Sequence, residues 1–387
     1  MKQQVEKLGK IAKFINGRAY KSADWSNAGI PIIRIQNLKD QKKSFNYWPG
    51  SLEGQVRVKH GDMLLAWSGT PGTSFGAHIW EGEEGVLNQH IFLVNLDQKK
   101  IEKRWAVRAI NNQLNHLISQ AHGGVGLKHV TKPQIEALDI PLPSIEEQRR
   151  LISILDKADA LRHKRAETLK FLDDFLRSVF LEMFGNPVKN EKGWKIKPLG
   201  ELIESDRGIS YGIVQRGEHV DGGIPIVRIS NFTENKFDDS SLVYTSPEIS
   251  NSYRRTILKG GELIISIRGT VGRVAVVPEN AKGSNISREV AVIPLLNGVS
   301  RTLVQHTLLS NGVQKLILGN VKGVAQSGIN LSDLRKVPIP IAPTKIVSQF
   351  EQIVHVITRM EHQLRGSEAR GQLLFHSLTQ RAFRGEL

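Results

Sequence analysis

Gly29-Ile30-Pro31-Ile32-Ile33-Arg34-Ile35-Gln36-Asn37-Leu38 returns as Gly223-Ile224-Pro225-Ile226-Val227-Arg228-Ile229-Ser230-Asn231-Phe232, 194 residues later. A second block, Gly61-Asp62-Met63-Leu64-Leu65-Ala66-Trp67-Ser68-Gly69-Thr70, returns as Gly261-Glu262-Leu263-Ile264-Ile265-Ser266-Ile267-Arg268-Gly269-Thr270 at an offset of 200. Gly124-Val125 and Ile140-Pro141-Leu142 return as Gly323-Val324 and Ile339-Pro340-Ile341, both at an offset of 199. Four blocks at a near-constant offset mean two copies of one domain. The 387 residues are enough for each copy to bury its own core.

Within each copy a strand-rich block precedes a helical one. Ile30 to Ile35, Met63 to Trp67 and His90 to Leu96 read as short apolar strands, as do Ile224 to Ile229, Leu263 to Ile267 and Val290 to Leu295. Trp105 to Ala121 and Arg301 to Leu318 read as helices inside the blocks. Pro141-Leu142-Pro143 and Pro338-Ile339-Pro340 close them, because proline lacks the amide hydrogen that continues a helix. Beyond the first closure, Leu155, Ala158, Leu169, Leu172, Leu176, Val179 and Met183 form a stripe at 3-4 spacing, interrupted by Arg162 and Arg165. Such a stripe predicts a coiled-coil seam on a helix ~57 Å long, ended by Gly185-Asn186-Pro187. Ile353, Val356, Met360, Leu364, Leu374 and Leu378 predict a counterpart, weakened between Gly366 and Gly371. A lone helix cannot bury such a stripe, so the two are expected to pair antiparallel.

Fifty-three Lys plus Arg against 38 Asp plus Glu give a net charge of +15, which attracts polyanions, nucleic acid foremost. There are no cysteines, so disulfides and thiolate metal sites are excluded. No apolar run approaches the ~20 residues that span a bilayer, and the start has no apolar signal core, so no membrane and a cytoplasmic location are expected. No Gly-x-Gly-x-x-Gly or Walker-type loop is present, and the twelve histidines show no metal-ligand spacing. Asn186-Pro187-Val188 lacks the second proline and the aromatic that would hold a flipped adenine. Neither a catalytic residue nor a cofactor or metal is expected.

The ordered set of motifs resembles the DNA specificity subunit of type I restriction–modification systems over essentially the whole chain. It is carried by Gly-Ile-Pro with Arg34 or Arg228, Ser68-Gly69-Thr70 and Arg268-Gly269-Thr270, and Ile140-Pro141-Leu142-Pro143 followed by Glu146-Glu147-Gln148. Leu181-Glu182-Met183-Phe184-Gly185 and Phe383-Arg384-Gly385-Glu386-Leu387 complete it. The resemblance implies an α+β fold: two tandem, β-rich α/β target recognition domains separated by two long antiparallel helices that form a coiled coil, related by a pseudo-twofold. The boundaries that follow are residues 1–143 and 186–343 for the recognition domains, and 144–185 and 344–387 for the helices. It further implies a non-catalytic subunit reading a bipartite site in double-stranded DNA, with half-sites about one turn (~34–36 Å) apart. Its implied partners are two modification subunits, which carry the adenine methyltransferase, and two restriction subunits in the full complex. Two departures stand out: Thr344 to Gln349 replaces the compact Ile145-Glu146-Glu147-Gln148, and nothing in the first copy answers Trp194. A stand-alone nuclease or methyltransferase, and a DNA-binding regulator or adaptor with no methyltransferase partner, are the rival functions.

DNA readers place cations on phosphates and amides, hydroxyls or guanidinium groups on base edges. Arg34, Gln36 and Asn37, with Arg228, Ser230 and Asn231, stand at the ends of buried strands. Ser68, Thr70 and Thr73, with Arg268, Thr270 and Arg273, stand in glycine-punctuated turns suited to phosphate or to a plain hairpin. Gln89 and His90 align with Arg288 and Glu289, and Lys128 and His129 with Ser327 and Gly328. Polar positions that diverge between copies are the candidates for base choice. Those kept in both, such as Arg34 and Arg228, suit backbone contact or folding.

Overall fold

A computed structural model describes residues 4–40, 43–69, 75–113, 118, 128–233, 236–321 and 328–387. It comprises two compact units, residues 1–166 with 366–387 and residues 167–365. The Gly124-Val125 and Gly323-Val324 repeat lies outside the described residues.

The first unit carries a four-stranded antiparallel sheet in the order Ala12–Asn16, Ile91–Leu96, Met63–Ala66, Gly76–Ile79. The second carries its equivalent, Ser210–Tyr211, Val290–Ile293, Leu263–Ser266, Val274–Val276. Met63–Ala66 and Leu263–Ser266 are buried at every position, because alternate residues face two different cores. Met63 and Leu65 point into one cluster with Trp105, and Leu64 and Ala66 into another with Trp80. Coverage of both faces explains why these strands read as unbroken apolar runs. A smaller mixed sheet supplies the second cover: Ile30–Ile33 runs parallel to Gly85–Leu87, as Ile224–Val227 does to Asn285–Ile286.

The strands that open each domain pair with the proline strands, Val5–Lys7 with Asp139–Pro141 and Lys195–Pro198 with Pro338–Ile341. Leu8 N donates to Leu138 O at 2.9 Å and Leu199 N to Val337 O at 2.9 Å, so both domains begin alike despite the missing tryptophan.

Three local expectations are corrected. Ile35 and Ile229 are not in strands: each starts a short helical turn after Arg34 or Arg228. The predicted Arg301–Leu318 helix is two helices, Arg301–Leu309 and Asn311–Gly319, broken at extended Ser310. Its hydroxyl donates to Thr307 O at 2.7 Å, a local bond that competes with helix continuation. The helix predicted from Trp105 spans Lys103–Asn112, and most of its predicted continuation lies outside the described residues.

Two long helices, Ile145–Phe184 and Thr344–Arg384, each contribute to both units. In the first unit Arg150 donates to Leu387 O, Arg162 lies over the Phe375 ring at 4.6 Å, and Arg165 donates to Ser367 O. Rising numbers on one helix meet falling numbers on the other, so the segments are antiparallel. The two arginines that interrupt the stripe stay in the seam by stacking and by reaching carbonyls. Gly371 leaves the room that the Arg165 guanidinium occupies. In the second unit Leu172 and Leu176 cluster with Ile357, and Phe180 and Phe184 with Phe350.

The predicted stripe on the second helix holds at Ile353 and Leu364, which pack on the Leu172 cluster, and at Leu378, which packs on the Trp105 cluster. Val356, Met360 and Leu374 are exposed, and Phe350, Ile357, Phe375 and Ala382 fill the seam beside the three that hold.

His306 packs against this seam, 5.1 Å from Phe350 and 6.5 Å from Phe180 between ring centroids. Burial lowers its pKa to about 4, partly opposed by the Asp173 charge. A depressed histidine favours the neutral fold, so its contribution is complete above ~pH 6.5 and is lost as the pH falls towards 4. From the shift, that loss is about 3 kcal/mol for the unfolding of the second unit. Replacing His306→Leu should flatten this part of the acid limb; denaturant titrations of both proteins between pH 7 and 4 measure the difference.

Candidate nucleic-acid interface

In each domain the same end of the sheets gathers the candidate loops, and the backbone hydrogen bonds that tie them are duplicated. In the first, Arg18 N donates to Leu87 O at 2.9 Å, Asn88 N to Ile33 O at 3.1 Å, Trp67 N to His90 O at 3.4 Å and Val130 N to Trp67 O at 3.0 Å. In the second, Ile213 N donates to Ile286 O at 2.8 Å, Ser287 N to Val227 O at 2.9 Å, Ile267 N to Glu289 O at 2.8 Å and Ile329 N to Ile267 O at 3.0 Å. One frame therefore positions Arg18, Arg34, Trp67–Ser68, Asn88–His90 and Lys128–His129. Its copy positions Ile213, Arg228, Ile267–Arg268 and Ser287–Glu289.

Two glycines make the frame possible. A Cβ on Gly17 would collide with the carbonyls of Leu87 and Asn88, and one on Gly212 with the Ile286 carbonyl. Only glycine lets the edge strand approach this closely.

The sequence candidates separate by what their side chains do. Asn37 and Asn231 are buried and close their turns. Asn37 Oδ1 accepts from Arg34 N at 3.1 Å while its amide donates to Lys43 O. Asn231 Oδ1 accepts from Arg228 N at 2.9 Å, and its amide donates to Asp238 O and Ser241 Oγ. Turn closure leaves neither to read a base. Ser68 is buried within the pairing of Ser68–Gly69 with Lys128–His129. The Arg34 guanidinium donates to Asn46 Oδ1 at 2.7 Å and lies 5.0 Å over the Trp25 ring, and Arg228 donates to Ser241 O at 2.9 Å. Gln36 is half-buried and donates to Ser44 O, whereas Ser230 is exposed.

Gln89 lies 3.2 Å from the His90 ring nitrogen, and Arg288 is partly exposed at the matching place. The turn after Ile267 closes on itself: the buried Ser266 hydroxyl donates to Thr270 O and accepts from Arg273 N at 2.9 Å. That closure leaves Arg268 and Thr270 exposed and Arg273 half-buried. Thr70, Thr73 and Ser327 lie outside the described residues, and only the backbone of Lys128 and His129 is described.

Arg18 was not singled out from the sequence. It is exposed, 5.0 Å over Trp48 and 5.4 Å over Tyr20, so two aromatic faces hold its charge at the loop end. Only Gly17 and Gly212 match between the two copies here, which hides this part of the repeat.

Residues 2–170 and 191–368 both match the type I restriction modification DNA specificity domain. The chain belongs to that family. It is 27% identical to the EcoBI specificity subunit of Escherichia coli over 98% of this chain and 85% of that protein. A putative specificity subunit of Haemophilus influenzae is 24% identical over 91% of this chain and 88% of its own length. Among solved structures, a chain from a study of type I R-M complex assembly and conformational transition aligns with a TM-score of 0.59 at 18% identity, covering 100% of this chain and 98% of that one. The S subunit from M. genitalium aligns at 0.56 and 13% identity, covering 98% and 96%. At these identities the two structures speak to the fold alone: tandem α+β specificity domains with long helices. Among the described residues of this specificity subunit, no helix is long and apolar enough to cross a membrane.

Proposed function

We propose that this specificity subunit reads a bipartite sequence in double-stranded DNA, each domain presenting its loop-bearing sheet end to one block. The paired helices set the gap and dock two modification subunits, which carry the methyltransferase chemistry, and two restriction subunits complete the endonuclease. The chain itself selects and holds, and performs no bond-breaking step.

The duplicated frame carries this reading: one set of backbone bonds holds Gln89 and His90 in one domain and Arg288 and Glu289 in the other. A common scaffold with divergent polar tips is what two heads reading different bases require. The +15 net charge supports a DNA partner. Exposed apolar side chains off the seam, such as Phe171 at 66% and Leu373 at 73% exposure, support docking of partner subunits on the helices.

Arg288→Ala should relax one base position in one block only, a loss of about 1–3 kcal/mol of discrimination. Gln89→Ala should act on the other block only. Long-read methylation mapping of cells carrying each variant with its modification partner checks both. Changes in both blocks from one substitution, or in neither from either, would contradict the assignment.

A further inference from the structure

Beside the interface of the second domain lies a cleft of about 410 Å³, lined by Tyr211, Tyr253, Arg254, Arg255 and Arg335 among others, with no carboxylate in its lining. We infer that this cleft is a phosphate clamp: it grips the DNA backbone beside the block that the second domain reads, without reading sequence. The inference rests on the DNA-reading function proposed above.

The cleft runs into the recognition end through two routes. Tyr211 ends the edge strand and is followed directly by Gly212 and Ile213, and Ile213 O accepts from Arg288 N at 3.0 Å. The segment bearing Arg254 and Arg255 is tied to Asn285, three residues before Arg288: Thr256 Oγ1 donates to Asn285 Oδ1 at 2.6 Å, and the Asn285 amide donates to Ser250 O at 3.1 Å.

That segment is also pinned from behind. Arg207, only 7% exposed and paired with Glu262 at 2.9 Å, donates to the carbonyls of Arg255 and Ile257. Its backbone is fixed while the side chains of Arg254 and Arg255 stay exposed, with no carboxylate partner for either among the described residues. Arg335 reaches across to Ile209 O at 3.3 Å and is itself exposed. Guanidinium groups, tyrosine and serine hydroxyls and no acid make a lining that favours phosphate oxygens over any cation.

The first domain shows that the fold does not demand these cations. Gly200 abuts the Arg335 side chain as Gly9 abuts that of Glu136, so a carboxylate holds the corresponding place. Leu258, bonded through its amide to Ser284 O, corresponds to Val58, paired with Gly85, which sets Gln55 where Arg255 stands. Tyr211 is matched by Asn16. One scaffold therefore folds with or without the basic cleft, and the cations are a property of the second head.

The test uses the full chain with its modification subunits and a duplex carrying the methylated site. Arg254→Gln, Arg255→Gln and Arg335→Gln together should lower the slope of log affinity against log salt by about 2–3 and weaken binding at least ~10-fold near 0.15 M salt. The loss should be equal on cognate and scrambled duplexes, with the methylated sequence unchanged. Arg254→Lys with Arg255→Lys should keep most of the slope, which separates lost charge from lost folding. An unchanged slope in the triple variant overturns the clamp, and so does an altered second block, which would make these residues base readers. Failure of the unsubstituted complex to bind DNA would instead overturn the function on which the clamp rests.

Discussion

Inserting one heptad into each long helix, between Ala166 and Glu167 and between Arg365 and Gly366, should lengthen the gap in the methylated site by about three base pairs and leave both blocks unchanged. These points fall where the chain passes from one compact unit to the other. Seven residues add ~10.5 Å of helix, close to three base-pair rises of 3.4 Å. Seven also preserves the 3-4 alternation of the seam, so Leu172 still meets Ile357 and Arg162 still meets Phe375 in their own units. The same insertion in one helix alone should abolish methylation, because every contact beyond it would slip. Methylation mapping of the three strains measures both effects.

Phe350→Ala should cost about 3–5 kcal/mol, the range for emptying a fully buried aromatic site. Phe350 is 0% exposed, 5.8 Å from Phe180 and 5.2 Å from Phe184 between centroids, both edge-on, and His306 is a third ring against it at 5.1 Å. Removing the ring would leave a cavity among closely packed aromatic side chains. Leu373→Ala on the same helix should change stability by less than about 0.5 kcal/mol, because that side chain is 73% exposed. Denaturant unfolding of the two variants provides the comparison, and equal losses would contradict the seam.

Much of the fold was legible because its signals are repeated. The Gly-Ile-Pro strands, the doubly buried Met63–Ala66 and Leu263–Ser266 runs and the proline boundaries recur at one offset. The central helix ends at Gly185, whose φ of +73° suits a residue without a Cβ.

The second helix was harder. Its seam includes Glu361 and Gly371, half-buried and not apolar, while Val356, Met360 and Leu374 are apolar and exposed. Glu361 keeps its place with its pKa raised by burial and by Asp173. Side-chain identity alone cannot separate a seam from an outward face that carries apolar residues.

At the candidate interface, Arg34 and Asn37 were visible as a repeated pair, but the pattern could not show that Asn37 turns inward to cap the Arg34 amide. Arg18 and the Arg254–Arg255 segment were invisible for the opposite reason. Uncharged residues stand at the matching places in the other copy, Ile213 for Arg18 and Gln55 for Arg255, and only the tertiary frame brings the arginines to a loop end or beside one.

Long-read mapping of methylated adenines, in cells carrying this chain and its modification subunits, tests the central claim most directly. Two short blocks separated by a fixed run of unspecified bases are expected, and they should disappear when the chain is deleted. A single continuous motif, or a split motif that persists without the chain, would contradict it.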